Sequence, residues 1–207
     1  MGASLTAMRA SMQLHVRRGW GLRLELPLNE PSEEPRMSFL SRLFGTGRDP
    51  KEDLRPLWHR TVEIAREPHW YAECGVADTV EGRFDMITAV LAVVLVRMER
   101  EEELVAPSVF LTELFVDDMD GQLREAGVGD LVVGKRMGRL MSTMGGRLGA
   151  YRTGLASDDT ALAQAVERNV TLGDGGSADC VARNMRALAA RLDTTTAEAL
   201  VAGEFAA

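Results

Sequence analysis

Lysine is almost missing from this chain: Lys51 and Lys135 are the two copies, and arginine carries the rest of the positive charge. Acids still outnumber bases, and a formal net charge of −7 argues against non-specific nucleic-acid binding by the molecule as a whole, DNA included, while leaving room for a local basic patch. Aromatic residues are only 5% of the sequence, too few for a strand-rich sandwich. The two cysteines, Cys74 and Cys180, lie far apart with no Cys-x-x-Cys or Cys/His spacing. That spacing indicates neither a zinc site nor a disulfide framework, and a reducing compartment is expected. The longest apolar run, Met86 to Val96, is bounded by Asp85 and Arg97 and falls short of the roughly 20 residues that span a bilayer.

What is present is 45% hydrophobic residue, rich in Ala, Leu, Val and Met, which favours a helical core over strands. The expected fold is all-α: a single compact multi-helix domain over 49–207, behind a short linker or amphipathic segment at 37–48 and a poorly ordered N-terminal tail at 1–36. The tail has Arg9, Arg17, Arg18 and Arg23 but no acid in its first 24 residues, then Pro27, Pro31 and Pro35. An overextended start, with Met37 as the true beginning, is favoured over a targeting peptide or a disordered arm.

Within the domain, Asp49-Pro50 is a helix-start signal, and Leu54, Leu57, Trp58, Thr61, Val62 and Ala65 recur at helical spacing until Pro68. Asp78-Thr79 offers an N-cap for a mostly apolar central helix reaching about Glu103. A third helix follows Pro107-Ser108 and ends near Gly127; a fourth runs from Asp130 to about Ala156. Gly134, Gly138, Gly145, Gly146 and Gly149 weaken that fourth helix and mark either close helix contacts or a break at Gly145-Gly146. Three shorter helices are expected at about 158–170, 177–192 and 195–204.

Motifs that promise chemistry do not hold up. Gly129 to Lys135 has the spacing of a phosphate-binding loop, but Arg136 stands where a magnesium-ligating hydroxyl belongs, and the preceding Glu125-Ala126-Gly127 is a helix end instead of a strand. Asp117, Asp118 and Asp120 read as a solvated face paired with Arg124 or Arg83 in preference to a cation site. A Cys74/His69 dyad rests on proximity in sequence alone. No catalytic, cofactor or metal site is assigned.

Partner binding has more support. Lys135, Arg136, Arg139, Arg147 and Arg152 fall in a stretch, 131 to 157, without a single acid, which suits anionic lipid, ribosomal RNA or an acidic partner; the alternative is a surface paired with acids of neighbouring helices. Met137, Met141 and Met144 stand at i, i+4 and i+7, either a core face or an adaptable apolar stripe. Trp70 and Tyr71 either lock a loop between two core helices or, if exposed, anchor a partner.

Glu67-Pro68-His69-Trp70-Tyr71, Gly75-Val76-Ala77-Asp78-Thr79 and Gly82-Arg83-Phe84-Asp85 form one block. Phe115-Val116-Asp117-Asp118-Met119-Asp120, Leu123-Arg124-Glu125, Gly127-Val128-Gly129-Asp130 and Val133-Gly134-Lys135 form a second, in the right order downstream. Together, across approximately 50–155, they resemble the ubiquinol–cytochrome c chaperone family of assembly factors for the respiratory cytochrome bc complex. The resemblance implies a non-enzymatic, all-helical protein without cofactor that binds nascent cytochrome b, peripheral to the cytoplasmic side of a bacterial inner membrane, or in the mitochondrial matrix if the source is eukaryotic. The expected contact surface is Met137, Met141 and Met144 rimmed by Arg136, Arg139 and Arg147, with Trp70 and Tyr71; Lys135, Arg136, Arg139 and Arg147 would face a ribosome or an anionic membrane. Two alternatives stay open: a scaffold joining other assembly factors, and an enzyme acting on a lipid or quinone, for which a pocket gathering Asp117, Asp118, His59 and His69 would speak.

Overall fold

The computed structural model describes residues 49–125 and 130–205, with the side chains of 123–141 left out; the tail at 1–36 and the segment 37–48 lie outside the described residues. The described residues form helices in the expected order with no strand among them. The chain opens with α1 (Pro50–Asp53), started by Asp49, whose carboxylate accepts from the Lys51 N–H at 3.0 Å. A turn at Leu54 leads into α2 (Arg55–Ala65). Its buried residues Leu57, Trp58, Thr61, Ile64 and Ala65 line one side of the helix, as the 3.6-residue period requires.

The centre is α3 (Val80–Met98), capped by Thr79, whose hydroxyl accepts from the Gly82 N–H at 3.2 Å. Every residue from Asp85 to Met98 is buried, because α2, α5 and α7 pack around this helix. It stops at Met98, short of the expected Glu103: the following acids are solvent-seeking, and a single 3₁₀ turn, Glu102–Leu104, redirects the chain into α4 (Val105–Glu125). Arg97, 6% exposed, turns its charge to use at the end of another helix, donating from Nε to Leu192 O at 2.9 Å and from Nη2 to Thr195 O at 3.0 Å, with Glu101 as counter-ion.

Helix α5 (Asp130–Ala156) runs without a break through Gly145-Gly146, and a Cβ on Gly146 or Gly149 would meet open space. Close packing occurs instead at Gly154, where a Cβ would lie 2.8 Å from the Leu162 Cα of α6 (Asp159–Asn169). The remaining helices are α7 (Ala178–Asp193) and α8 (Ala197–Val201). Residues 170–177, between α6 and α7, run back beside the segment after α2, where Val76 and Leu172 make an isolated antiparallel bridge. Gly75, with φ +71°, lets the two backbones meet there: its Cβ would stand 2.6 Å from the Gly176 Cα.

Candidate partner-binding surface

The segment that joins α2 to α3 is ordered from within. His69–Glu73 form one π-helical turn, and this places two aromatic rings back over the end of α2. The Trp70 indole donates to Ile64 O at 2.7 Å, which also accepts from the Glu67 N–H at 3.1 Å, and the Tyr71 hydroxyl donates to Ala65 O at 2.8 Å, so both rings are tied to carbonyls at the end of α2. Trp70 is 1% exposed and Tyr71 half-buried, its phenol pushed up by burial. Their role in this structure is the loop lock. His69 faces Glu67 at 3.3 Å and its own neighbour Trp70, not a thiol.

Cys74 is bonded to Cys180, which corrects the expectation drawn from the cysteine spacing. The two are 106 residues apart in sequence, a distance that carries no local signal, and only the return of 170–177 beside the turn brings their Cα atoms to 5.2 Å. Below this joint lies the buried carboxylate of Asp85. It accepts from Arg147 at 2.6 Å, from the Thr171 N–H at 2.9 Å and from the Thr171 hydroxyl at 2.7 Å, tying α3, α5 and the 170–177 segment together. The Arg147 guanidinium also lies over the Phe84 ring, 5.6 Å from its centroid.

Part of the expected surface has partners inside the protein. Arg147 is held by Asp85, and Arg152 donates from Nε to Glu99 at 2.8 Å, so they are paired with acids of α3 and of its C-cap. Met144 is 3% exposed and packs in the core. Met137, Met141, Lys135, Arg136 and Arg139 have side chains outside the described residues, as does Arg124; from Asp130 onward the backbone is helical, and Gly134-Lys135 sit inside a helix. The Asp117 partner is Lys51 at 3.1 Å and not Arg83, which is engaged by Asp78 at 2.6 Å. The reason is placement: α1 packs on α4, whereas Arg83 pairs with Asp78 in the segment between α2 and α3. Lys51 also reaches Glu113 at 3.0 Å, and its ammonium pKa is raised by hydrogen bonds to Glu113 and Asp117. The Asp78 carboxyl is held below its ordinary value by the hydrogen bond from Arg83.

Two open clefts meet at the end of α2 and share Arg66. The first, about 560 Å³, lies between α2 and α4; Trp58, Val62 and Leu114 form its apolar part, with Arg55, His59 and Arg66 toward α2 and Asp117 and Asp118 toward α4. The second, about 510 Å³, is bounded by Arg66, Pro68, Tyr71, Asp78 and Arg83. His59, Asp117 and Asp118 thus meet in one cleft, while His69 is elsewhere. Arg66 was not singled out from the sequence, because an arginine at the end of a helix reads as an ordinary C-terminal charge. Among the described residues no group of three or more His, Cys, Asp or Glu is placed to hold a metal ion, and no helix is long and apolar enough to cross a membrane.

Fold and surface define an all-helical domain with an internally tied turn between α2 and α3 and two open, charge-lined clefts. The chain belongs to the ubiquinol-cytochrome C chaperone family, whose model matches residues 72–207. It is similar to the Cbp3 homolog from Brucella abortus, whose crystal structure superposes with a TM-score of 0.67 at 32% identity, over 80% of this chain and 94% of that one. No curated protein matches significantly.

Proposed function

We propose that this protein is a non-enzymatic assembly chaperone that binds newly made cytochrome b and supports assembly of the ubiquinol–cytochrome c oxidoreductase complex, working at the cytoplasmic face of a bacterial inner membrane or its matrix-side equivalent. The observation that carries this reading is the family match over most of the helical domain, joined to the likeness to the Cbp3 homolog. Physical demand agrees with it: a membrane protein awaiting its partners exposes apolar helices that associate wrongly in water, and a holder that itself needs no cofactor suffices to prevent that.

The described surface offers little apolar area for such a client, since Val80 and Val109 are the large hydrophobic residues exposed on it. The contact we propose uses the clefts around Arg66 and the first half of α5 with Arg136, Met137, Arg139 and Met141, where the basic side chains would also meet an anionic membrane or a ribosome. Replacing Met137 and Met141 by Ser lowers client retention with the fold intact, read by co-purification and circular dichroism; unchanged retention would remove the stripe from the contact. A pull-down from solubilised membranes, with mass spectrometry, recovers cytochrome b, and cells without this protein lose it selectively. Recovery of finished subunits in equal amount would favour a scaffold instead. The cleft that joins His59, Asp117 and Asp118 is where an enzymatic reading would have to act, and turnover abolished by His59→Ala would establish it.

A further inference from the structure

We propose that Cys180 is a thiol–disulfide exchange site, with Cys74 as its resolving partner, so that the bond between them opens and closes in the folded protein against a low-molecular-weight thiol such as glutathione. The inference is independent of the client reading.

Three observations carry it. First, the backbone around the pair is held without the covalent bond. Ser177 N donates to Cys74 O at 2.8 Å, Gly173 N to Gly75 O at 2.8 Å, and Ala77 N to Thr171 O at 2.9 Å. With the Val76–Leu172 bridge and the Gly75–Gly176 contact, these keep the two thiols side by side after reduction.

Second, the two sulfurs are unequal. Cys74 is 1% exposed, whereas Cys180 is partly exposed in the first turn of the 16-residue α7, its N–H received by the capping Ser177 hydroxyl at 3.2 Å. The positive end of a helix favours a thiolate there, and burial makes Cys74 the slower nucleophile. Third, one donor serves both: Asn184 Nδ2 is 3.2 Å from Cys74 Sγ and 3.8 Å from Cys180 Sγ, placed to stabilise whichever sulfur carries negative charge.

The steps balance. The Cys180 thiolate attacks glutathione disulfide, whose S–S bond breaks; one glutathione leaves as thiolate and a mixed disulfide forms at Cys180. Cys74 then gives its proton to solvent and attacks the Cys180 sulfur, and the second glutathione leaves. Two protein thiols are oxidised by two electrons and one glutathione disulfide is reduced to two glutathiones; reduction is the reverse, with the incoming thiolate attacking Cys180 and Cys74 leaving beside Asn184.

The test uses the full chain in glutathione buffers under native conditions, with acid quench, alkylation and peptide mass spectrometry. Cys74→Ser collects one glutathione at Cys180, at least about tenfold faster than Cys180→Ser collects it at Cys74. In the unaltered protein, limited reduction places the adduct on Cys180 while circular dichroism stays native, which keeps the test valid should either variant fail to fold. A pair that stays oxidised in millimolar glutathione until denaturant is added, or adducts divided equally between the cysteines, would overturn the proposal.

Discussion

Asp85 shows how much one side chain can hold. At 5% exposure it would be a costly charge to bury, and it is tolerated because Arg147 and two donors of Thr171 surround it. Asp85→Ala removes the acceptor and leaves Arg147 partly buried without its counter-ion, so the unfolding free energy falls by about 3 to 5 kcal/mol in urea titration. Met144 is buried as well, and Met144→Ser destabilises by about 2 to 5 kcal/mol. Tyr151, fully buried, has its phenol pKa raised far above the ordinary value near 10 by desolvation. Its folded-state pKa exceeds the unfolded one, so the associated stability is complete below pH ~10 and declines as pH rises beyond it. Tyr151→Phe flattens that alkaline limb, measured as the pH dependence of the denaturation midpoint.

At the scale of elements, glycines separate by surroundings that their sequence neighbours do not reveal. Gly146 and Gly154 both sit in α5. Gly146 faces open space, and Gly146→Ala stabilises by up to about 1 kcal/mol through helix propensity. Gly154 crosses α6 at Leu162, and Gly154→Ala costs about 1 to 3 kcal/mol as the two backbones are forced apart; thermal denaturation of the pair reads the opposite signs. The starts at Asp49 and Thr79 were legible, since both cap through their own side chains and need no distant partner, whereas α4 begins at Val105, ahead of the expected Pro107-Ser108. The end of α3 was less so, because Glu99 to Glu103 are good helix formers and it is the packing of Leu104 that bends the chain away. Which glycine is a contact was not legible, because helix propensity describes only a residue's own helix.

For the whole molecule, the Cys74–Cys180 bond closes a long segment of the chain, and chain entropy alone assigns such a closure about 4 to 5 kcal/mol. Reductant therefore lowers the melting temperature without abolishing the native helical signal at room temperature, which a pair of thermal scans with and without dithiothreitol checks.

The helical class, the order of the helices, the apolar centre at Met86 to Val96 and the family all follow from local periodicity, capping residues and ordered motif blocks, which are properties of neighbours along the chain. Tertiary structure alone decided that Cys74 meets Cys180, that Lys51 and not Arg83 answers Asp117, that Trp70 and Met144 are inside, and that Arg66 stands between two clefts. Each depends on contacts between segments far apart in sequence, whose energies come from geometry that no local pattern encodes.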